Sequence, residues 1–317
     1  MAAKSAFRRP IRMELEYKRD NDVTLQTSDC LEFLKTLRSN SAQLVITSPP
    51  YNVGKSYESV RPIDEYAAFQ DEVISECIRI VRPGGSICWQ VGTFLRGPNW
   101  IKPLDLIVDP IFERYAASHS IRLRNRIVWH FGHGMHCGSR FSGRHEVILW
   151  YTKGDDYTFN LDDVRVPQKY PGKRHYKGLK QGEFSGHPMG KNPGDSWTDI
   201  PNVKANHVEK ETEHPCQFPV EVPRRLILAL SKRGDLVVDP FMGVGSTAVA
   251  AVLTGRRVAG CDITGRYLVI ARSRIRKAWK GSLRIRSDKP LFMPDGDSTL
   301  LKIPEHFKKA RKRITSQ

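Results

Sequence analysis

In the stretch TSPPY, residues 47–51, a small hydroxyl (Ser48), two consecutive prolines (Pro49 and Pro50) and an aromatic ring (Tyr51) follow the apolar run SAQLVI and precede a glycine-containing loop, NVGKSY. Each proline locks φ at about −65°. The Ser48 hydroxyl and the Tyr51 ring are therefore carried on a stiff stretch of backbone at the end of that apolar run. The plainer alternative is that Pro-Pro-Tyr only stops a strand.

A second stretch, VVDPFMGVGSTAVA, sets Gly243 and Gly245 between an apolar run and a helical one. Without Cβ atoms the chain turns sharply there and lets a ligand lie against the end of a strand and the start of a helix. Gly243, Gly245 and Ala248, with Asp262 further on, also fit a dinucleotide fingerprint, which would make the chain a nicotinamide oxidoreductase. Asp239 and Phe241 argue otherwise, because a carboxylate suits a cationic amine and a ring suits a purine, and a pyrophosphate needs neither. S-adenosylmethionine fits better, with Asp262 on its ribose hydroxyls; the competing role for Asp262 is a helix cap before ITGRY.

TSPPY and DPFMGVGST (residues 239–247), in that order, resemble the β-class amino-methyltransferases of DNA, over about residues 27–276. The resemblance implies a sheet whose two halves flank an inserted recognition region. It implies that Ser48 and the Pro49 carbonyl, held by Pro50, accept hydrogen bonds from the exocyclic amine of an everted base, with Tyr51 stacked on its face. It further implies a cofactor site formed by Asp29, Phe218, Pro219, Asp239, Pro240, Phe241, Gly243, Gly245, Ser246, Thr247 and Asp262, with Asp29 meeting the adenine amino group. Such an amine is a poor nucleophile until its hydrogens are held and its lone pair aimed at the methyl carbon, so positioning carries the catalysis and no covalent intermediate is needed. The base must leave the duplex, and the ring replaces its lost stacking. Serine at position 48 resembles the cytosine-N4 members, with adenine N6 the alternative.

The elements that must hold these residues read as a doubly wound, mostly parallel α/β sheet. AQLVITS, SICWQVG, RNRIVWHF, HEVILWY, DLVVDP and RRVAGCDI read as strands; YAAFQDEVISECIRIV, closed by RPGG, and PVEVPRRLILAL, GSTAVAAVLT and RYLVIARSRIRKAW read as helices. Residues 152–211 are rich in Gly, Pro, Lys and aromatics and carry no helical period, which suits an inserted module. The organisation expected is a tail at 1–21, a catalytic half at 22–151, a target-recognition insertion at 152–211, a cofactor half at 212–285 and a basic tail at 286–317.

Across 317 residues, 51 Lys and Arg stand against 34 Asp and Glu, a formal charge of +17, which points to a polyanion, with double-stranded DNA first. Lys169, Arg174, Lys177 and Lys180, interleaved with Tyr170, His175 and Tyr176, suit a DNA-facing loop. No run is apolar enough to span a bilayer and the first residues lack the apolar core of a signal peptide, so a cytoplasmic protein with no membrane partner is expected. It would act as a monomer or homodimer, and a cognate restriction endonuclease would be a partner in function without a physical complex.

Six scattered cysteines without C-x-x-C read as reduced thiols. Cys216 lies in a Pro-Cys-Gln triplet that also serves as a C5-methyltransferase nucleophile, but SPPY already fills the catalytic slot and Cys216 is expected to be inert. His130, His133, His136 and Cys137 have spacings that reach a metal; the chemistry needs none, and a loop near DNA explains them more simply. Lys308, Lys309, Arg311, Lys312 and Arg313 touch phosphates or form a solvated end. A non-catalytic nucleic-acid-binding module is the remaining alternative; it would bind neither S-adenosylmethionine nor NAD.

Overall fold

The computed structural model describes residues 9–286, apart from 55–57, 97–99, 133, 135, 168–172, 188, 205–206 and 211–216. His133, Lys169, Tyr170, Cys216 and the basic cluster at 308–313, named from the sequence, lie outside the described residues.

The strands are β1 (Met13–Glu14), β2 (Val23–Thr27), β3 (Ala42–Thr47), β4 (Val81–Val91), β5 (Thr93–Arg96), β6 (Trp100–Pro103), β7 (Ile121–His130), β8 (His145–Lys153), β9 (Ser196–Trp197), β10 (Leu236–Asp239) and β11 (Arg257–Asp262). The helices are α1 (Cys30–Thr36), α2 (Ile63–Ile80), α3 (Asp105–Arg114), α4 (Ala116–His119), α5 (Glu221–Leu230), α6 (Ser246–Thr254) and α7 (Gly265–Lys280). A nine-stranded sheet runs in the order β1-β2-β11-β10-β3-β4-β8-β7-β9. From β1 to β4 neighbours are parallel; β8 is antiparallel to β4 and β7 to β8, and β9 pairs parallel with β7.

The apolar runs form central strands because both sheet faces are covered. Along β10, Val237 enters one core, with α5, α6 and α7, while Leu236 and Val238 enter the other, with α1, α2 and α3. Every residue of β3 is buried, which is why its sequence lacks the polar alternation of a one-sided strand. Its buried Gln43 is satisfied by donating to the Leu230 carbonyl at 2.9 Å and accepting from Arg82 at 2.6 Å.

One expectation needs correction, and three local features were not expected from the sequence. α2 does not end on RPGG: its last residue is Ile80, and Val81 already begins β4, so Gly84 (φ 76°) serves an irregularity within a strand. Within the described part of the expected N-terminal tail, Met13–Glu14 forms a short edge strand, with Met13 paired to Val23, and Arg9 is ion-paired to Asp22 at 2.7 Å. The span 152–211, expected as a target-recognition insertion, is tied to the sheet at several points. Thr152 still belongs to β8, Asn160 donates to the carbonyls of Leu228 and Ser231, and Ser196–Trp197 extends the main sheet. What projects is a shorter excursion closed where Val166 and Lys191 exchange hydrogen bonds of 2.9 and 2.8 Å. Finally, α3 carries Pro110 inside it, a residue that normally argues against a helix, so its sequence does not announce it.

Candidate functional site

In a parallel sheet all carboxyl ends lie on one edge, and here that edge collects the sequence-distant motifs. Thr27 pairs with Asp262, Asp239 with Gly260 and Thr47 with Trp89, so the chain leaves β2, β11, β10, β3 and β4 side by side. β8 runs the other way and starts there, Val147 opposite Val91, which brings Glu146 to the same edge.

The TSPPY segment leaves β3 with Ser48 half-buried and Pro49 buried. Ser48 Oγ donates to the Tyr51 hydroxyl at 2.9 Å, and that hydroxyl donates to Glu146 Oε2 at 3.0 Å. Gln90 Nε2 donates to the same carboxylate oxygen at 2.6 Å. Burial pushes the Glu146 carboxyl up, and the hydrogen bonds from Gln90 and Tyr51 hold it back. Burial and then the Glu146 carboxylate keep the Tyr51 phenol well above its ordinary range. A Cβ at Gly92 would stand 2.9 Å from Tyr51 Cε2, so the bare backbone after β4 is what lets the ring lie there. Beyond Tyr51, Asn52 (φ 61°) clasps Arg61, accepting from its N–H at 2.7 Å and donating to its carbonyl at 2.8 Å, which pins the base of the following loop.

Of the expected cofactor residues, Asp262 is half-buried and accepts from Gly243 N at 3.0 Å and Thr264 N at 2.8 Å, so it organises the glycine turn and the entry to α7 together. Loss of hydration raises its carboxyl. Gly243 and Gly245 both have positive φ, 51° and 79°, and a Cβ at Gly245 would meet Ala271 Cβ at 2.7 Å, so that glycine also serves the packing of α6 on α7. Asp29 caps α1, accepting from Leu31 N at 2.8 Å, and is exposed. Phe241 is partly buried and meets Phe69 edge-on, ring centres 6.2 Å apart. Ser246 Oγ donates to the Phe218 carbonyl at 2.8 Å, tying the segment with Phe218 and Pro219 to the first turn of α6.

Asp239 departs from the expected contact with a cationic amine. It is 1% exposed, and its oxygens accept from Thr47 Oγ1 at 2.8 Å, Thr247 Oγ1 at 2.7 Å and Phe241 N at 3.1 Å. It braces β10, β3 and α6, and burial raises its carboxyl to about 6. Thr247, engaged with it, is likewise a buried brace.

Sequence reasoning missed Glu146, Gln90, Gly92 and Ile263. A signal existed for the first: Glu146 is a lone carboxylate at the head of the apolar run VILWY. Ile263, 66% exposed beside Asp262, gives the edge an apolar surface next to a carboxylate. With Asp29 and Asp262 as acceptors and Phe241 and Ile263 as apolar surface, the groups present fit an adenosyl ligand bearing hydroxyl and amino donors.

Around this edge, the β7–β8 loop begins after His130, which pairs with His145, and carries Phe141 fully exposed next to Arg140. His136 and Cys137 sit in the same loop, where Cys137 N donates to Ser142 Oγ at 3.1 Å. In the projecting excursion Arg174, Lys177 and Lys180 are exposed, and the Arg174 guanidinium lies 4.1 Å from the centre of the Phe184 ring. Among the described residues no helix is long and apolar enough to cross a membrane.

A family model described as DNA methylase matches residues 42–273. The type II methyltransferase M.BglII of Bacillus subtilis is 46% identical over 247 residues, 78% of this chain and 67% of that protein. The DNA adenine methyltransferase YhdJ of Escherichia coli (strain K12) is 30% identical over 257 residues, covering 80% and 82%. Among solved structures, TTHA0409 of Thermus thermophilus, complexed with S-adenosyl-L-methionine, superposes with a TM-score of 0.58 at 24% identity, over 86% of this chain and 96% of that one.

Proposed function

Because the chain belongs to the N6/N4 DNA methylase family, we propose that it is a DNA methyltransferase that uses S-adenosylmethionine to methylate the exocyclic N4 of a cytosine everted from double-stranded DNA, in a restriction–modification or epigenetic setting. The observation that carries this reading is the position of the Ser48–Pro49–Tyr51 segment: it shares one sheet edge with the glycine turn and Asp262, joined through the Thr47–Asp239 hydrogen bond of 2.8 Å.

Ser48 Oγ and the Pro49 carbonyl accept the two amine hydrogens and hold them in place, so that the nitrogen lone pair points along the line of transfer. Tyr51 offers its ring to the base, whose eversion costs a few kcal/mol, on the order of what one stacking surface returns. Asp262 holds the ribose hydroxyls, Asp29 the adenine amine, and Phe241 with Ile263 the faces of the purine. The Phe218–Pro219 segment borders the amino-acid end. When bound, S-adenosylmethionine supplies an electrophilic methyl group on a sulfonium. The basic excursion with Arg174, Lys177 and Lys180, and the rim loop with Arg140 and Phe141, face the duplex, where cations position and few side chains read bases.

Serine rather than a carboxylate at position 48 favours cytosine N4, since the pyrimidine amine is met by a neutral, short acceptor. Adenine N6 is the second reading, favoured by the 30% identity to a DNA adenine methyltransferase. Nucleoside mass spectrometry of duplex DNA treated with the purified protein and S-adenosylmethionine decides between them. N4-methylcytosine is expected, N6-methyladenine alone would reverse the choice of base, and unmodified DNA would remove the activity.

A further inference from the structure

Glu146 lies at the edge where β8 begins, and nothing in the amine-binding cradle itself calls for a carboxylate one hydroxyl removed from Ser48. An ionised carboxylate only accepts hydrogen bonds. Tyr51, 3.0 Å from Glu146 Oε2, must therefore donate to it, and the Tyr51 oxygen is left to accept the Ser48 proton at 2.9 Å. The direction of both bonds is set from the Glu146 end, while Gln90 holds that end in place at 2.6 Å. With its proton turned towards Tyr51, Ser48 Oγ keeps its lone pairs for the incoming N–H. A neutral hydroxyl then behaves as a one-way acceptor, the property that a carboxylate at position 48 would have by charge alone.

Resting on the functional reading above, we propose that Glu146 is a positioning residue that orients Ser48 through Tyr51 and is the final acceptor of the proton released on methylation. As the amine nitrogen bonds to the methyl carbon, the carbon–sulfur bond breaks and its electron pair stays on sulfur. The nitrogen, now carrying positive charge, gives one proton to Ser48 Oγ; the Ser48 proton passes to Tyr51, and the Tyr51 proton to Glu146, which ends as the neutral acid and then releases that proton to solvent. Ser48 and Tyr51 finish as they began. The groups facing Glu146 are Tyr51 and Gln90, with the Gly92 backbone beside its stem; Trp129 is its cross-strand partner on β7, and the neighbouring pair in that ladder is His130 with His145.

The test uses full-length wild type, Glu146→Gln, Glu146→Asp and Tyr51→Phe, with single-turnover methyl transfer to duplex DNA measured against pH. For Glu146→Gln the rate is expected to fall about 10²-fold, the size of a lost acid–base contribution. The decline of the wild-type rate towards acid pH, as Glu146 takes up its proton, should disappear in this variant and survive in Glu146→Asp. Tyr51→Phe should lose as much as Glu146→Gln, and the double variant no more than either, because the residues act as one unit. Fluorescence of 2-aminopurine at the target position should report unchanged binding and eversion by Glu146→Gln. Infrared difference spectra of wild type against Glu146→Gln, without DNA or methyl donor, should show a carboxyl C=O band appearing on acidification. A Glu146→Gln protein with wild-type rate, an acid limb that persists in it, additive losses, impaired eversion accounting for the loss, or no carboxyl band would each overturn the relay. Wild type that methylates nothing overturns the functional reading and the relay with it; an active wild type beside an equally active Glu146→Gln overturns the relay alone.

Discussion

Thr47 closes β3 and Asp239 closes β10, and the 2.8 Å hydrogen bond between their side chains couples the strand that carries the acceptor segment to the strand that carries the glycine turn. The two residues are 192 positions apart in sequence. A shift of either strand end would move the amine-binding and cofactor-binding groups relative to each other, and this buried bond resists such a shift.

Its energetics show in pH dependence. Burial lifts the Asp239 carboxyl from 3.8 to about 6, so between those values the folded protein holds a proton that the unfolded chain has released. The contribution to stability is full below about pH 4, falls as pH rises, and is lost above about 6, a change on the order of 3 kcal/mol. Urea unfolding of wild type and Asp239→Asn from pH 4 to 7 should show a stability difference that shrinks over this window in wild type relative to the variant. Parallel curves would mean that Asp239 titrates normally.

Gly92 is expected to be intolerant of the smallest side chain. Its backbone has an ordinary φ, so alanine costs no strain there, but the added carbon would meet the Tyr51 ring at 2.9 Å. Gly92→Ala should slow single-turnover methylation about 10²-fold, as a misplacement of about 1 Å can. Calorimetry should find its affinity for S-adenosylmethionine unchanged.

Asp262 should act on the cofactor alone. Glu146 lies on another strand and Ser48 just beyond the end of β3, and Asp262 is engaged with Gly243 N and Thr264 N. Asp262→Asn keeps the shape but loses charge-assisted acceptance, and S-adenosylmethionine should bind about tenfold more weakly, roughly 1.4 kcal/mol. Equilibrium dialysis of cofactor without DNA measures this directly, and an unaltered dissociation constant would remove Asp262 from the site.

Replacing Arg174, Lys177 and Lys180 together by glutamine should weaken binding to all duplexes alike. The slope of log affinity against log salt should flatten by about 0.9 for each phosphate that is no longer neutralised. Fluorescence anisotropy at several salt concentrations measures the slope, and a slope equal to that of wild type would place these residues off the DNA.

Most of the sheet was legible because strands covered on both faces are written as unbroken apolar runs, and the helices that cover them as apolar stripes; β3, β8, β10, α2 and α6 follow directly. Elements held by tertiary context were not. The edge strand Met13–Glu14 exists only because Val23 offers it a pairing partner, β9 only because β7 does, and α3 keeps Pro110 because its apolar face is buried under the sheet.

The sequence by itself determined the chemistry on offer: a hydroxyl and a proline-stiffened carbonyl beside a ring, glycines where a turn needs positive φ, and a surplus of cations. Those are properties of residue types and near neighbours, which local order records. Only the tertiary structure decided that Asp239 is a buried brace engaged with Thr47 and Thr247, and that Glu146, far from Tyr51 in sequence, stands 3.0 Å from its hydroxyl. Partners contributed by adjacent strands depend on strand order and register, and no stretch of sequence encodes those locally.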